Sequence, residues 1–138
     1  MDIPDSVRAL VEAGPLAHLS TVNGDGSPQV SVIWIGLDGG DIVSGHMNES
    51  LKVRNARRDP RVVLSFDAPP TPGAFLAEHV VLRAEATIEE GGAWALLDRL
   101  AKVYVGPDFT FPAPESPGGF ILRYSVERIG GVGPWAGS

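Results

Sequence analysis

The run Ser44-Gly45-His46-Met47-Asn48-Glu49-Ser50-Leu51-Lys52-Val53-Arg54-Asn55 gathers the residue types that bind an anion. It passes from a strand pattern into a helical one. A helix amino terminus offers free N–H groups and a partial positive charge. Lys52 falls in or near that first turn, where a cation is unfavourable unless something negative offsets it. Bound phosphate would remove the conflict, and so would a Glu49–Lys52 pair inside the chain. Ser50 adds a hydroxyl donor, and Arg54 offers a planar fork suited to phosphate or carboxylate. Of the 11 Lys and Arg residues, Lys52, Arg54, Arg57, Arg58 and Arg61 crowd this one stretch. Either a local anion site or a solvated helix face accounts for them.

Gln29 and Ser31 share one face of an alternating strand pattern. There they can bond the edge of a heterocycle, or they can face water. Ile33 and Trp34 are adjacent and point to opposite faces, so at most one flanks a ring held there. His46 stands where strand gives way to helix and can donate to a ligand, although no second acid–base residue accompanies it in a motif. His18 and His79 are read as structural. With no cysteine and no H-E-x-x-H spacing, neither a disulfide, a Cys nucleophile nor a catalytic metal is expected. Nucleophile-elbow, P-loop and dinucleotide-binding motifs are also missing from the sequence. No catalytic acid or base is assigned. Trp94 and Tyr104 read as core anchors, whereas Trp135, in a Gly-rich tail, belongs at a subunit interface or pocket rim.

These residues need elements to hold them. Pro4 to Ala13 reads as an opening helix, with Val7, Leu10 and Val11 in one stripe and Gly14-Pro15 as its stop. Leu16 to Val22 reads as a strand, Asn23 to Pro28 as a turn, and Gln29 to Leu37 as the clearest strand. After Asp38 to Asp41, Ile42 to His46 returns as a third strand of an antiparallel meander. Asn48 to Arg58 is the helix of the candidate anion site, stopped by Asp59-Pro60. Arg61 to Phe66, Ala74 to Glu89 and Phe120 to Glu127 read as strands, and Gly92 to Val105 as a helix. Asp67 to Gly73, Gly106 to Gly119 and the tail Arg128 to Ser138 read as irregular. Without β-α-β alternation, the expected architecture is mainly β: a six-stranded antiparallel barrel with peripheral helices.

The 138 residues suit a single domain spanning 1–138, and 17 Gly with 12 Pro favour many turns. A net charge of −6 argues against nucleic-acid binding. No apolar stretch is long enough to cross a membrane, and the acidic amino terminus lacks a signal-peptide layout. The chain therefore reads as cytoplasmic.

Leu19 to Val30, with Asn23-Gly24-Asp25-Gly26-Ser27-Pro28 at its centre, resembles the opening hairpin of the pyridoxamine 5'-phosphate oxidase-like split-barrel superfamily. Ser50-Leu51-Lys52-Val53-Arg54-Asn55 resembles its phosphate-binding helix, especially in the flavin/deazaflavin oxidoreductase branch. Tyr104-Val105-Gly106 and Gly131-Val132-Gly133-Pro134-Trp135 are similar to that branch as well. The resemblance implies an FMN-binding split barrel that dimerises, with cofactor sites at the interface. It places Ser50, Lys52, Arg54 and Asn55 on phosphate, Gln29, Ser31 and Ile33 along the ring, and His46 near the ribityl chain. The oxidases proper carry Ser-Arg-Lys where this chain has Ser50-Leu51-Lys52, and Arg where it has Gln29. That departure turns the expectation from FMN towards the deazaflavin coenzyme F420, whose polyglutamate tail would suit Arg57 or Arg58. The implied activity is hydride transfer between reduced F420 and an unsaturated small molecule. An FMN-dependent oxidoreductase, or a non-catalytic carrier of a cofactor, tetrapyrrole or lipid, is the alternative.

Overall fold

The computed structural model describes residues 1–113 and 118–136. Positions 114–117 of the expected 106–119 loop, and the last two residues of the tail, lie outside them. The elements are α1 (Asp5–Glu12), β1 (Ala17–Val22), β2 (Pro28–Ile33), β3 (Gly36–Asp38), β4 (Asp41–His46), α2 (Leu51–Arg58), β5 (Arg61–Asp67), β6 (His79–Glu90), α3 (Ala93–Tyr104) and β7 (Phe120–Val132). The fold is mainly β with peripheral helices, as expected, but it has seven strands rather than six. The extra strand arises because the single strand expected over Gln29 to Leu37 breaks at Trp34-Ile35.

Every ladder is antiparallel, and the strand order is β2-β1-β5-β6-β7-β4-β3. β2 and β3 thus follow one another in the chain yet occupy opposite edges of the sheet. From Ile33 to Gly36 there are three peptide steps, at most about 11 Å of chain. The sheet therefore curls enough to bring the end of β2 near the start of β3, with no ladder between them among the described residues.

The inner face follows the period-two pattern. Val62, Leu64 and Phe66 of β5 and Val80, Leu82 and Ala84 of β6 are buried together with Leu19 and Tyr124. Arg83, Glu85 and Thr87 face out, as their alternation requires. α1 closes one end of this core with Val7, Leu10 and Val11. Burying side chains of this size contributes roughly 1.5–3 kcal/mol each.

Two boundaries differ from the expectation by five residues. β6 begins at His79, leaving residues 68–78 to the loop, and β7 runs on to Val132 instead of ending at Glu127. The glycines there are poor strand formers alone, but the long β6 supplies a partner for Gly130 and Gly131. Gly131 sits at φ 99 against the His79 carbonyl, where a Cβ has no room. The extended strand carries Trp135 into the core at 4% exposure, its Nε1 donating to the His79 carbonyl (2.9 Å). Trp135 is a core residue here, not a pocket rim. Among the described residues no helix is long and apolar enough to cross a membrane.

Candidate functional site

α2 starts at an unusual cap. Ser50 has the extended backbone of an N-cap residue, yet its hydroxyl makes no capping bond. Its Oγ is sealed from solvent and has no hydrogen-bond partner. The first amide to bond back along the helix is that of Arg54, to the Ser50 carbonyl (3.0 Å). The amides of Leu51, Lys52 and Val53 precede it, at the positive end of the helix.

The five clustered cations separate clearly. Glu49 pairs with Arg57 (3.1 Å) rather than with Lys52. Arg54 donates to the Glu49 carbonyl (3.0 Å) and Arg61 to Asp59 (2.7 Å). Arg58 donates to the Val22 carbonyl and to Asn55 Oδ1 (3.0 Å). Arg57 also lies over the Phe120 ring, 5.6 Å from its centroid. Among the described residues only Lys52 of the five has no ion pair or hydrogen bond. The conflict between a cation and a helix amino terminus is therefore not relieved among the described residues.

Lys52 and Ser50 border a cavity of about 440 Å³. Its walls come from the ends of β2 and β4, the start of α2, α3, and the segment after α3. Ile33, Trp34, His46 and Phe111 complete the working surface, with Leu16 and Val32 nearby. Ile33 and Trp34 both line it, against the expectation from alternation, because β2 ends at Ile33 and the backbone leaves strand geometry there. Trp34 stacks on Tyr104 (5.1 Å, 10°) and meets Phe111 edge-on (6.4 Å). α3 fixes Phe111 from both sides: its N–H donates to Asp98 Oδ1 (2.8 Å), and its carbonyl accepts from Trp94 Nε1 (3.0 Å). The Tyr104 hydroxyl donates to the Pro15 carbonyl (2.6 Å), tying α3 to the start of β1. A larger hollow of about 600 Å³ lies on the outer face of β1, β5 and β6, but none of the expected site residues lines it.

Of the sequence-derived candidates, Ile33, His46, Ser50 and Lys52 meet at the smaller cavity. Gln29 and Ser31 lie further along β2 and bond to each other (Nε2 to Oγ, 2.9 Å), while Gln29 Oε1 accepts from Thr21 (2.9 Å). Arg54 is exposed and directed at the Glu49 backbone. Asn55 is wholly buried, and its amide donates to Thr21 Oγ1 (3.1 Å) and Asn23 Oδ1 (2.9 Å). It pins α2 to the β1–β2 turn. Sequence reasoning missed Phe111 and the partners of His46, and it took Ile33 rather than Trp34 for the site. Trp94 was read as a core anchor of its helix, but nothing in the sequence marked Phe111 as the partner of Trp94 and Asp98.

His46 is 7% exposed, and its pKa is lowered to about 4, first by burial and then by the positive charge of Lys52. The imidazole is neutral at pH 7. Its Nε2 lies 2.7 Å from Ser44 Oγ, which lies 2.7 Å from the Tyr124 hydroxyl. Burial pushes the Tyr124 phenol up from its ordinary value, partly offset by the Ser44 bond.

The antiparallel sheet thus carries a cavity at its strand ends, bordered by a helix amino terminus and by a lysine with no partner among the described residues. The family model for pyridoxamine 5'-phosphate oxidase matches residues 3–133, and the chain belongs to that family. Among solved structures it is similar to one named as an F420 reductase, with 26% identity and a TM-score of 0.75 over 93% of this chain and 98% of that one. It is also similar to a heme binding protein from Mycobacterium smegmatis (24% identity, TM-score 0.66, 96% of this chain and 55% of that one). An FMN-binding protein from Syntrophomonas wolfei subsp. wolfei gives 16% identity and a TM-score of 0.63, over 91% of this chain and 83% of that one. The last two likenesses bear on the fold alone. No curated protein gave a significant match.

Proposed function

We propose that the protein is a deazaflavin-dependent oxidoreductase, taking its cofactor in the cavity between β2, β4 and α2. The observation that carries this reading is the pair at the start of α2. Ser50 Oγ is buried without a partner, and Lys52 has no counter-ion among the described residues, both at the amino-terminal end of the helix. That donor set fits the phosphate of a nucleotide-like cofactor. Similarity to the F420 reductase favours the deazaflavin over FMN, and so does Gln29 where the oxidases carry Arg.

A reduced deazaflavin bound there supplies a hydride for an electron-poor double bond. The chain's own part is binding, orientation and exclusion of water. Lys52 and Ser50 hold the phosphate, Arg54 adds positive potential from the same helix, and Asn55 sets the helix against the β1–β2 turn. Gln29, Ser31 and Ile33 place polar and apolar atoms along β2 for the ring. Neutral His46 offers a hydrogen bond near the ribityl chain. Arg57 and Arg58 are engaged within the chain, which weakens the expectation that they receive the coenzyme's anionic tail.

The functional unit in this reading is a homodimer. Edge strand β2 exposes Val30 (59%) and Val32 (56%) beside the cavity, with Leu16 (58%) adjoining. A second copy that covers this apolar strip would also complete the cavity wall.

The test is a titration of the purified protein with coenzyme F420 and with FMN, followed by fluorescence and calorimetry. Tighter binding of F420, with reoxidation of the bound reduced form by an unsaturated substrate, supports the reading. Preference for FMN transfers it to an FMN-dependent enzyme. Binding of neither, or binding of heme instead, overturns it in favour of a carrier.

A further inference from the structure

The chain of hydroxyls behind His46 has no part in the chemistry above, yet it determines what His46 can offer. Tyr124 on β7 and Ser44 on β4 are 1% and 0% exposed, and each hydroxyl has few choices. Among the described residues the Tyr124 hydroxyl has one partner, Ser44 Oγ at 2.7 Å. Ser44 Oγ has two, that hydroxyl and His46 Nε2 at 2.7 Å. Three bonds' worth of hydrogens compete for two gaps, and only some arrangements satisfy them. If His46 Nε2–H donates to Ser44 and Ser44 to Tyr124, the phenol hydrogen is buried with no acceptor. If Tyr124 and His46 both donate to Ser44, the serine hydrogen is the orphan. Only the arrangement running from Tyr124 to Ser44 to His46 uses every donor. Buried donors without acceptors are rare and costly, whereas a spare lone pair on an oxygen is tolerated.

We infer that the chain is polarised from Tyr124 through Ser44 to His46 Nε2, so that His46 keeps its proton on Nδ1 and presents the cavity with a fixed N–H donor. Nδ1 has no partner among the described residues. His46 lines the cavity and its Nε2 is taken up by Ser44, so Nδ1 is the ring nitrogen left to meet a ligand there. The ligand must therefore bring an acceptor, a hydroxyl or carbonyl oxygen or an unprotonated ring nitrogen, to this point. A ligand group that can only donate is rejected there. Ser44 is a positioning residue, acting through His46. The inference rests on the cavity being the ligand site, as proposed above, but the tautomer itself does not.

The tautomer is read directly in the unliganded full chain labelled with [15N]histidine, from two-bond 1H–15N correlations at pH 7. His18→Gln and His79→Gln variants assign the three rings. The expected pattern for His46 is a protonated Nδ1 and a bare Nε2. A protonated Nε2, or a doubly protonated ring, overturns the inference. Ser44→Ala should release the constraint and give a mixture of tautomers, while Tyr124→Phe should keep the native one, because Ser44 still has a hydrogen to place. An unchanged single tautomer in Ser44→Ala overturns the role of Ser44. Coenzyme F420 is then titrated, with its own fluorescence reporting binding. A shift of the His46 Nδ1–H signal at saturation supports the donor role, and bound coenzyme with an unmoved signal overturns it. If neither F420 nor FMN binds, the functional reading fails while the tautomer measurement still decides the polarity.

Discussion

Lowering the pH from 7.5 should destabilise the protein through His46 before its carboxylates respond. In the unfolded chain this imidazole binds a proton near its ordinary pKa of 6.5, whereas in the fold it resists until about 4. Between those values the unfolded state binds more protons, so stability falls as pH falls. The loss begins near 6.5 and is complete only below about 4. At about 1.4 kcal/mol per pKa unit, it reaches about 2 kcal/mol at pH 5 and about 3 kcal/mol at pH 4. For a domain of this size 2 kcal/mol corresponds to roughly 7 °C in Tm. The carboxylates with lowered values, such as Asp59 at about 2, titrate later and do not compete in the window from 5 to 6.5. The groups around the ring are Lys52, which adds to the depression, and the uncharged Ser44–Tyr124 pair. Thermal unfolding by circular dichroism at pH 7.5, 6.5, 5.5 and 5 should show this slope in the native chain, and His46→Asn should flatten it. Equal slopes, or a His46 resonance titrating near 6.5, would refute the argument that burial and Lys52 keep the ring neutral.

Lys52→Ala should weaken cofactor binding at least tenfold, since a charge-assisted contact is worth roughly 1.5–3 kcal/mol; unchanged affinity in a calorimetric titration removes the lysine from the site. Asn55→Ala should lower stability by about 1–3 kcal/mol, because it removes the two hydrogen bonds that pin α2 to the β1–β2 turn; a denaturant midpoint equal to the native one argues against that pin. Val30→Glu should give a monomer in sedimentation if β2 forms the dimer face, and a native-like oligomer places the interface elsewhere. Leu64→Ala, in the centre of β5, should cost about 2–5 kcal/mol by the same denaturation.

The sequence made the period-two faces of β5 and β6 and the helical stripe of α1 legible, because each is set by a local alternation of apolar and polar residues. The passage from strand into α2 was legible from its residue pattern, and Ser50, Lys52 and His46 of the candidate anion site line one cavity there. The break at Trp34-Ile35 was not: both residues favour strands, and only the curl of the whole sheet forces the chain from one edge to the other there. The continuation of β7 through Gly130 and Gly131 depends on β6 as a partner 50 positions away in the chain. Asn55 illustrates the limit for a site. Its type and place in the helix suit a ligand, but its amide faces Thr21 and Asn23, which no linear spacing reveals. Phe111 likewise gains its place from Asp98 and Trp94.

The seam between β4 and β7 has a kinetic consequence. Ser44 and Tyr124 are 80 residues apart, whereas β1–β2 and β5–β6 are hairpins whose partners are neighbours in sequence. Joining distant segments requires closing a long loop before any contact rewards it, so such pairings come late on the folding path. The polar chain behind His46 then forms after the rate-limiting barrier. Substitutions in it should leave the refolding rate nearly constant and accelerate unfolding, with φ-values near zero in stopped-flow measurements. The lifetime of the native state, more than the speed of reaching it, would then be held at the strand seam that also sets the proton on His46.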